Sequence, residues 1–113
     1  MTNWQDIENG IAVLEQRTEE MREHGEEYAL SDADYRKKKA LAILDERQKG
    51  TPATLCKDVI FARPDVQDAL TRRNCSRAVY EADREAINTT KLRLKVLDAQ
   101  EARDFQAAGM RGF

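Results

Sequence analysis

Apolar residues near the start of the chain return in alternating steps of three and four, at Trp4, Ile7, Ile11, Leu14, Met21 and Tyr28, with Thr18 and Gly25 as weak points in the same register. A recurrence of 3.5 positions on average is a heptad seam, and it predicts a helix built to lie along another helix. The stripe continues less regularly through Tyr35, Ala40, Leu41 and Leu44. Thr2 or Asn3 suits the N-cap of a helix opening at about Trp4, and Gly50 suits a C-terminal cap beyond Gln48. Ser31-Asp32-Ala33-Asp34 has the form of a capping box and marks either a new start or a kink. The stripe favours one continuous helix over about 4–48.

Thr51-Pro52 restarts the chain, with Thr as N-cap and Pro at the first helical position of a short helix over about 52–62. Leu55, Cys56, Val59 and Ile60 give that helix one apolar face. Pro64 disfavours helix at Arg63 and opens a last helix over about 65–108. Its stripe is wide and rich in alanine: Val66, Ala69, Leu70, Val79, Tyr80, Ala82, Ala86, Ile87, Leu94, Leu97 and Phe105. Gly109 ends the pattern, so residues 109–113 read as a flexible tail on a single domain of residues 1–108. No run alternates as a strand would, and there is no internal repeat.

The two long helices should each span ~65 Å at 1.5 Å per residue. Equal lengths and a short connector predict an all-α fold, an antiparallel two-helix coiled-coil-like hairpin with the short helix across its tip. Such a hairpin buries little apolar area for its length, so completion by oligomerisation or by docking on a partner is expected. The association seam would comprise Trp4, Ile7, Ile11, Leu14, Met21 and Tyr28 on the first helix and Tyr80, Ile87, Leu94 and Leu97 on the last. Trp4 and Phe105 should close the open end; exposed and grouped with Phe113, they would instead anchor a partner.

Composition agrees with long solvated helices: 35% of the 113 residues are charged and 41% hydrophobic, with five Gly and two Pro. No apolar stretch approaches the ~18 residues of a membrane span, and the first residues do not form a signal peptide, so a cytoplasmic protein without membrane contact is expected. Cys56 and Cys75 are too few for a disulfide framework and lack the spacing of a zinc or redox motif. His24, Asp32 and Asp34 do not converge as metal ligands would. No nucleophile–base order, phosphate loop or paired carboxylate in a cleft is present, so neither catalysis, metal nor cofactor is expected.

The net charge of -2 hides a division. Residues 1–34 hold ten acids and two bases, whereas residues 35–84 hold twelve bases and seven acids. An antiparallel pairing would bring Arg36, Lys37, Lys38 and Lys39 beside Arg72, Arg73 and Arg77, with Arg63 towards the tip, as one basic zone. That zone would attract phosphate or an acidic protein surface, unless local carboxylates neutralise it. The acidic helix face, with Glu15, Glu19, Glu20, Glu23, Glu26 and Glu27, could also meet the basic zone of a second copy.

Tyr35-Arg36-Lys37-Lys38-Lys39-Ala40, the Gly50-Thr51 break and Ala78-Val79-Tyr80-Glu81-Ala82 resemble a group of small helical-hairpin proteins of Gram-positive phages and prophages, over roughly residues 25–100. The resemblance implies a phage or prophage origin and a coiled-coil-like fold, and it supplies no activity or functional residues. The Pro64 restart and the Ser31–Asp34 segment depart from it. Together these features point to a non-enzymatic protein that acts by protein–protein contact, with itself or another protein. An accessory nucleic-acid-binding factor in phage replication or recombination is one alternative, and a small inhibitor of a host enzyme is another.

Overall fold

A computed structural model describes residues 3–111, and within them the side chains of residues 4–109. The described chain is all-helical: α1 is Asn3–Gln48, α2 is Ala53–Phe61 and α3 is Pro64–Arg111, with no strand among the described residues. Thr2 and Phe113, offered above as cap and anchor, lie outside the described residues. α3 carries on through Gly109 to Arg111, past the expected end at about 108. Gly109 does not take the left-handed conformation that would cap a helix there, since Gly50 alone among the described residues has positive φ.

α1 is continuous through Ser31–Asp34. Ser31 is buried, and its hydroxyl donates back to the Tyr28 carbonyl at 2.9 Å rather than capping a new helix. Asp32 and Asp34 pair forward with Arg36 and Lys38, the i to i+4 partners that a helix supplies. The helix stops at Gly50, whose φ of 87° lets the chain reverse. The Thr51 amide donates to the Glu46 carbonyl at 3.0 Å and the Gly50 amide to the Arg47 carbonyl at 3.1 Å, which is a Schellman ending.

That ending alters the start of α2. Pro52 is the N-cap, with no side-chain cap hydrogen bond, because the Thr51 hydroxyl donates to the Glu46 carboxylate instead, at 2.8 Å. Pro64 opens α3 as a first helical residue should, and the Gln67 amide donates to the Arg63 carbonyl at 3.0 Å.

The chain divides into two compact units, one made of the residues up to Arg22 and from Ala82 on, the other of Glu23–Glu81. In Glu23–Glu81 the core joins α1, α2 and α3 through Tyr35, Ala42, Ile60, Val66 and Ala69, with Ile43, Phe61 and Leu70 packed against them. Ile60 and Val66 are fully buried. The Tyr28 and Tyr80 rings lie 6.0 Å apart, and Gly25 gives Tyr80 its room: a Cβ there would sit 3.1 Å from the ring. In the other unit Ile87 is buried, and Gly10 lies so close under Leu94 that a Cβ would come within 2.6 Å of it.

Burial along each long helix recurs every seven residues. On α1 the ladder is Ile7, Leu14, Met21, Tyr28, Tyr35 and Ala42, all buried or half-buried. On α3 it is Val66, Arg73, Tyr80, Ile87 and Leu94. The other half of the expected α1 seam is outside: Trp4, Ile11 and Thr18 are exposed, and Gly10, His24 and Ser31 take the sheltered positions beside the ladder. Leu41 and Leu44 are likewise exposed, because the ladder passes from Tyr35 to the small Ala42 and leaves both leucines on another side of the helix.

Candidate interaction surfaces

The densest polar cluster of Glu23–Glu81 is at the ends of α1 and α2. Arg63, in the turn before α3, donates through Nε to Glu46 Oε1 at 3.2 Å, and its Nη2 contacts both Glu46 and Asp45. Thr51 completes the shell of Glu46, whose side chain is nearly buried, and Lys49 Nζ lies 3.1 Å from Asp45. Hydrogen bonding from Arg63, and then from Thr51, holds the Glu46 carboxyl below its ordinary range. Arg63 and then Lys49 do the same for Asp45, while Glu46 and then Asp45 raise the guanidinium. Arg63 is thus a clamp between α1 and the start of α3 rather than a cation on offer to a ligand. From the sequence Thr51 reads as an N-cap rather than a partner of Glu46, and Glu46 itself is missed, its one signal being a carboxylate ahead of Gly50-Thr51.

Most of the rest of the basic zone is similarly engaged. Arg36 Nε lies 2.9 Å from Asp32, and Lys38 Nζ 3.1 Å from Asp34. Arg73 spans from Asp32 at 3.7 Å to the face of Tyr35, 5.0 Å from the ring centroid, and Arg72 reaches Glu27 at 3.9 Å. Lys39 stands 5.8 Å over the Phe61 ring. Lys37 and Arg77 are exposed, and no carboxylate or ring partner falls to either among the described residues. Zone residues of α1 and α3 do meet, at Asp32 between Arg36 and Arg73, but around a carboxylate.

The seam residues divide. Ile7, Leu14, Met21, Tyr28, Tyr80, Leu94 and Leu97 are half-buried and Ile87 is buried, whereas Trp4 and Ile11 are exposed. Trp4 at 62% exposure and Phe105 at 79% do not close an end against one another. Large exposed side chains also run along α1 within Glu23–Glu81: Leu30 at 73%, Leu41 at 55% and Leu44 at 58%. Leu55 and Val59 on α2 are exposed one turn apart.

His24 and Cys75 line one open groove with Glu27, Arg72, Ser76 and Val79. No three His, Cys, Asp or Glu side chains among the described residues gather as a metal would need. Both cysteines are free, Cys56 buried and Cys75 exposed. Among the described residues no helix is long and apolar enough to cross a membrane.

Comparison with known protein families, with characterised proteins and with solved structures finds no match to this chain.

Proposed function

We propose that the protein is a non-enzymatic helical assembly protein that acts by protein–protein contact, first of all with further copies of itself. The observation that carries this reading is the balance of apolar side chains. Among the described residues the large apolar groups left exposed, from Trp4 to Phe105, outnumber those buried, of which Ile60, Val66 and Ile87 are the principal ones. Apolar surface in water is costly at ~25 cal/mol per Å², and association removes it.

In this proposal α1 and α3 pair as an antiparallel, coiled-coil-like hairpin with α2 at its tip. The seven-residue burial ladders of both helices support it, since that period gives a left-handed supercoil. So do the facing pairs: Tyr28 meets Tyr80 and Asp32 meets Arg73, the numbers running in opposite senses. A phage origin and a cytoplasmic location belong to the same proposal, the first on the resemblance of the 35–40 and 78–82 segments alone.

The nucleic-acid alternative loses support from the carboxylates that occupy most of its cations, and no observation favours the host-enzyme inhibitor. Sedimentation velocity over a wide concentration range tests the main reading. The expected result is a mass that rises above the 12.9 kDa monomer with concentration. A monomer at every concentration would overturn self-association.

A further inference from the structure

One side of α1 within Glu23–Glu81 is defined by steps of three and four through Glu23, Glu26, Leu30, Ala33, Lys37, Ala40, Leu44 and Arg47, with Leu41 beside them. Every one of these residues is exposed, so nothing among the described residues covers this side. Its order is acidic at one end, apolar and small in the middle except for Lys37, and basic at the other. Neighbouring charges of α1 are consumed locally, Asp32 by Arg36, Asp34 by Lys38 and Asp45 by Lys49. Glu23, Lys37 and Arg47 of the stripe are placed differently. Glu23 has Glu19, Glu20, Glu26 and Glu27 at its helical neighbour positions, so like charges surround it. Arg47 has Ile43 and Leu44 one turn before it, and no ion pair is formed by Glu23, Lys37 or Arg47 among the described residues.

We infer that this side of α1 is the contact surface for a second copy of the chain, the two α1 stripes packing antiparallel about a two-fold axis near Tyr35. The inference rests on the assembly reading above and specifies its surface. In that arrangement Glu23 of each copy lies opposite Arg47 of the other, Glu26 lies beside Leu44 and near that same arginine, and Leu30 packs against Ala40 and Leu41. Lys37 lies over Ala33 next to Asp34. A parallel pairing would put Glu23 against Glu23 and Arg47 against Arg47, which the charges oppose. The antiparallel arrangement is isologous, as a closed dimer requires. The alternation of large and small residues, Leu30 against Ala40 and Ala33 under Lys37, lets the helices approach closely. The stripe is ~36 Å long at 1.5 Å per residue, which gives a small contact and so a dimer that dissociates on dilution.

The test is sedimentation velocity on the full chain, with circular dichroism to show that helicity is kept. Leu30→Lys should weaken the dimer about tenfold or more, since it replaces, in both copies, the leucine that packs against Ala40 and Leu41. Glu23→Arg and Arg47→Glu should each weaken it, and the two together in one chain should restore it. Leu92→Lys, at an exposed position in the other unit, should leave it unchanged. If the wild-type protein associates but Leu30→Lys does not weaken it, assembly stands and this surface is overturned. Failure of the charge swap to restore association overturns the antiparallel arrangement. A wild-type protein that stays monomeric overturns both the surface and the assembly reading.

Discussion

Arg63 holds Glu46 across the loop that carries α2, its Nε 3.2 Å from Oε1, so that a residue of the α2–α3 turn fixes the last turn of α1. The same carboxylate accepts from the Thr51 hydroxyl, and the Glu46 carbonyl accepts from the Thr51 amide. One glutamate therefore ties the Schellman ending, the approach to α2 and the start of α3 together.

This clamp predicts a pH dependence. Glu46 and Asp45 have carboxyls held below their ordinary range, by Arg63 above all. A group whose pKa is depressed on folding stabilises the fold above its unfolded pKa of about 4, and that contribution is lost as pH falls through the folded value. Urea midpoints should thus be level near neutrality and fall in acid below about pH 4. In Glu46→Gln the acid-induced loss should be smaller, and the midpoint at neutral pH lower. An unchanged acid profile in that variant would remove the clamp from the account.

Gly50 is the second element of that ending. Its φ of 87° is left-handed, and a Cβ placed on it would meet nothing within 4 Å. Gly50→Ala therefore incurs only the conformational penalty of the left-handed region, about 1–2 kcal/mol. Thermal unfolding should show a drop of that size with native helicity kept at low temperature. Gly109→Ala is the contrast. Gly109 lies within α3 with open space around it, so alanine there should cost nothing and gain up to about 1 kcal/mol of helix propensity.

Arg73 occupies a ladder position on α3 between Val66 and Tyr80, and its Nε is buried without a hydrogen-bond partner. The guanidinium gains the Tyr35 face and a 3.7 Å approach to Asp32, but Asp32 keeps Arg36 at 2.9 Å without it. A buried donor left unsatisfied costs about 1–3 kcal/mol. Arg73→Leu removes that donor, keeps the bulk over Tyr35 and restores an apolar ladder. The expected outcome is a gain of about 1 kcal/mol in urea unfolding. A loss of similar size would show that the stack on Tyr35 outweighs the orphaned nitrogen.

Much of the helical content could be read from the chain, because punctuation and period both act locally. Gly50, Pro52 and Pro64 mark their breaks through φ and the missing amide, and no distant residue alters that. Half the α1 seam was legible for the same reason, through Ile7, Leu14, Met21 and Tyr28. The other half was not. Trp4 and Ile11 fit the register as well as Gly10 and His24 do, and hydropathy ranks them higher, yet close approach favours the small Gly10 under Leu94. The surroundings of the basic zone were only partly legible. Its cations are plain in the sequence, as are the carboxylates four residues before Arg36 and Lys38, but the carboxylates that Arg63, Arg72 and Arg73 meet lie on another element. Arg63 with Glu46, seventeen residues apart, is not a spacing that any helix periodicity reveals.

The nucleic-acid reading makes a quantitative prediction because its cations are already committed. Arg36, Lys38, Arg63, Arg72 and Arg73 approach carboxylates, and Lys39 stands over Phe61. Lys37 and Arg77 remain, so about two phosphates could be neutralised without breaking an ion pair. Counterion release gives a slope of about −0.9 per phosphate in a plot of log affinity against log salt, hence about −2 for duplex DNA. Raising salt from about 50 to 200 mM should then weaken any binding only about tenfold, whereas six to ten phosphate contacts would cost on the order of a thousandfold or more. Fluorescence anisotropy with a labelled duplex reads this directly. A shallow slope that vanishes in the Lys37→Ala, Arg77→Ala double variant is the expected outcome and marks the binding as incidental. A slope near −6 would mean that phosphate opens the Asp32 and Asp34 pairs, and would put nucleic acid ahead of self-association as the partner.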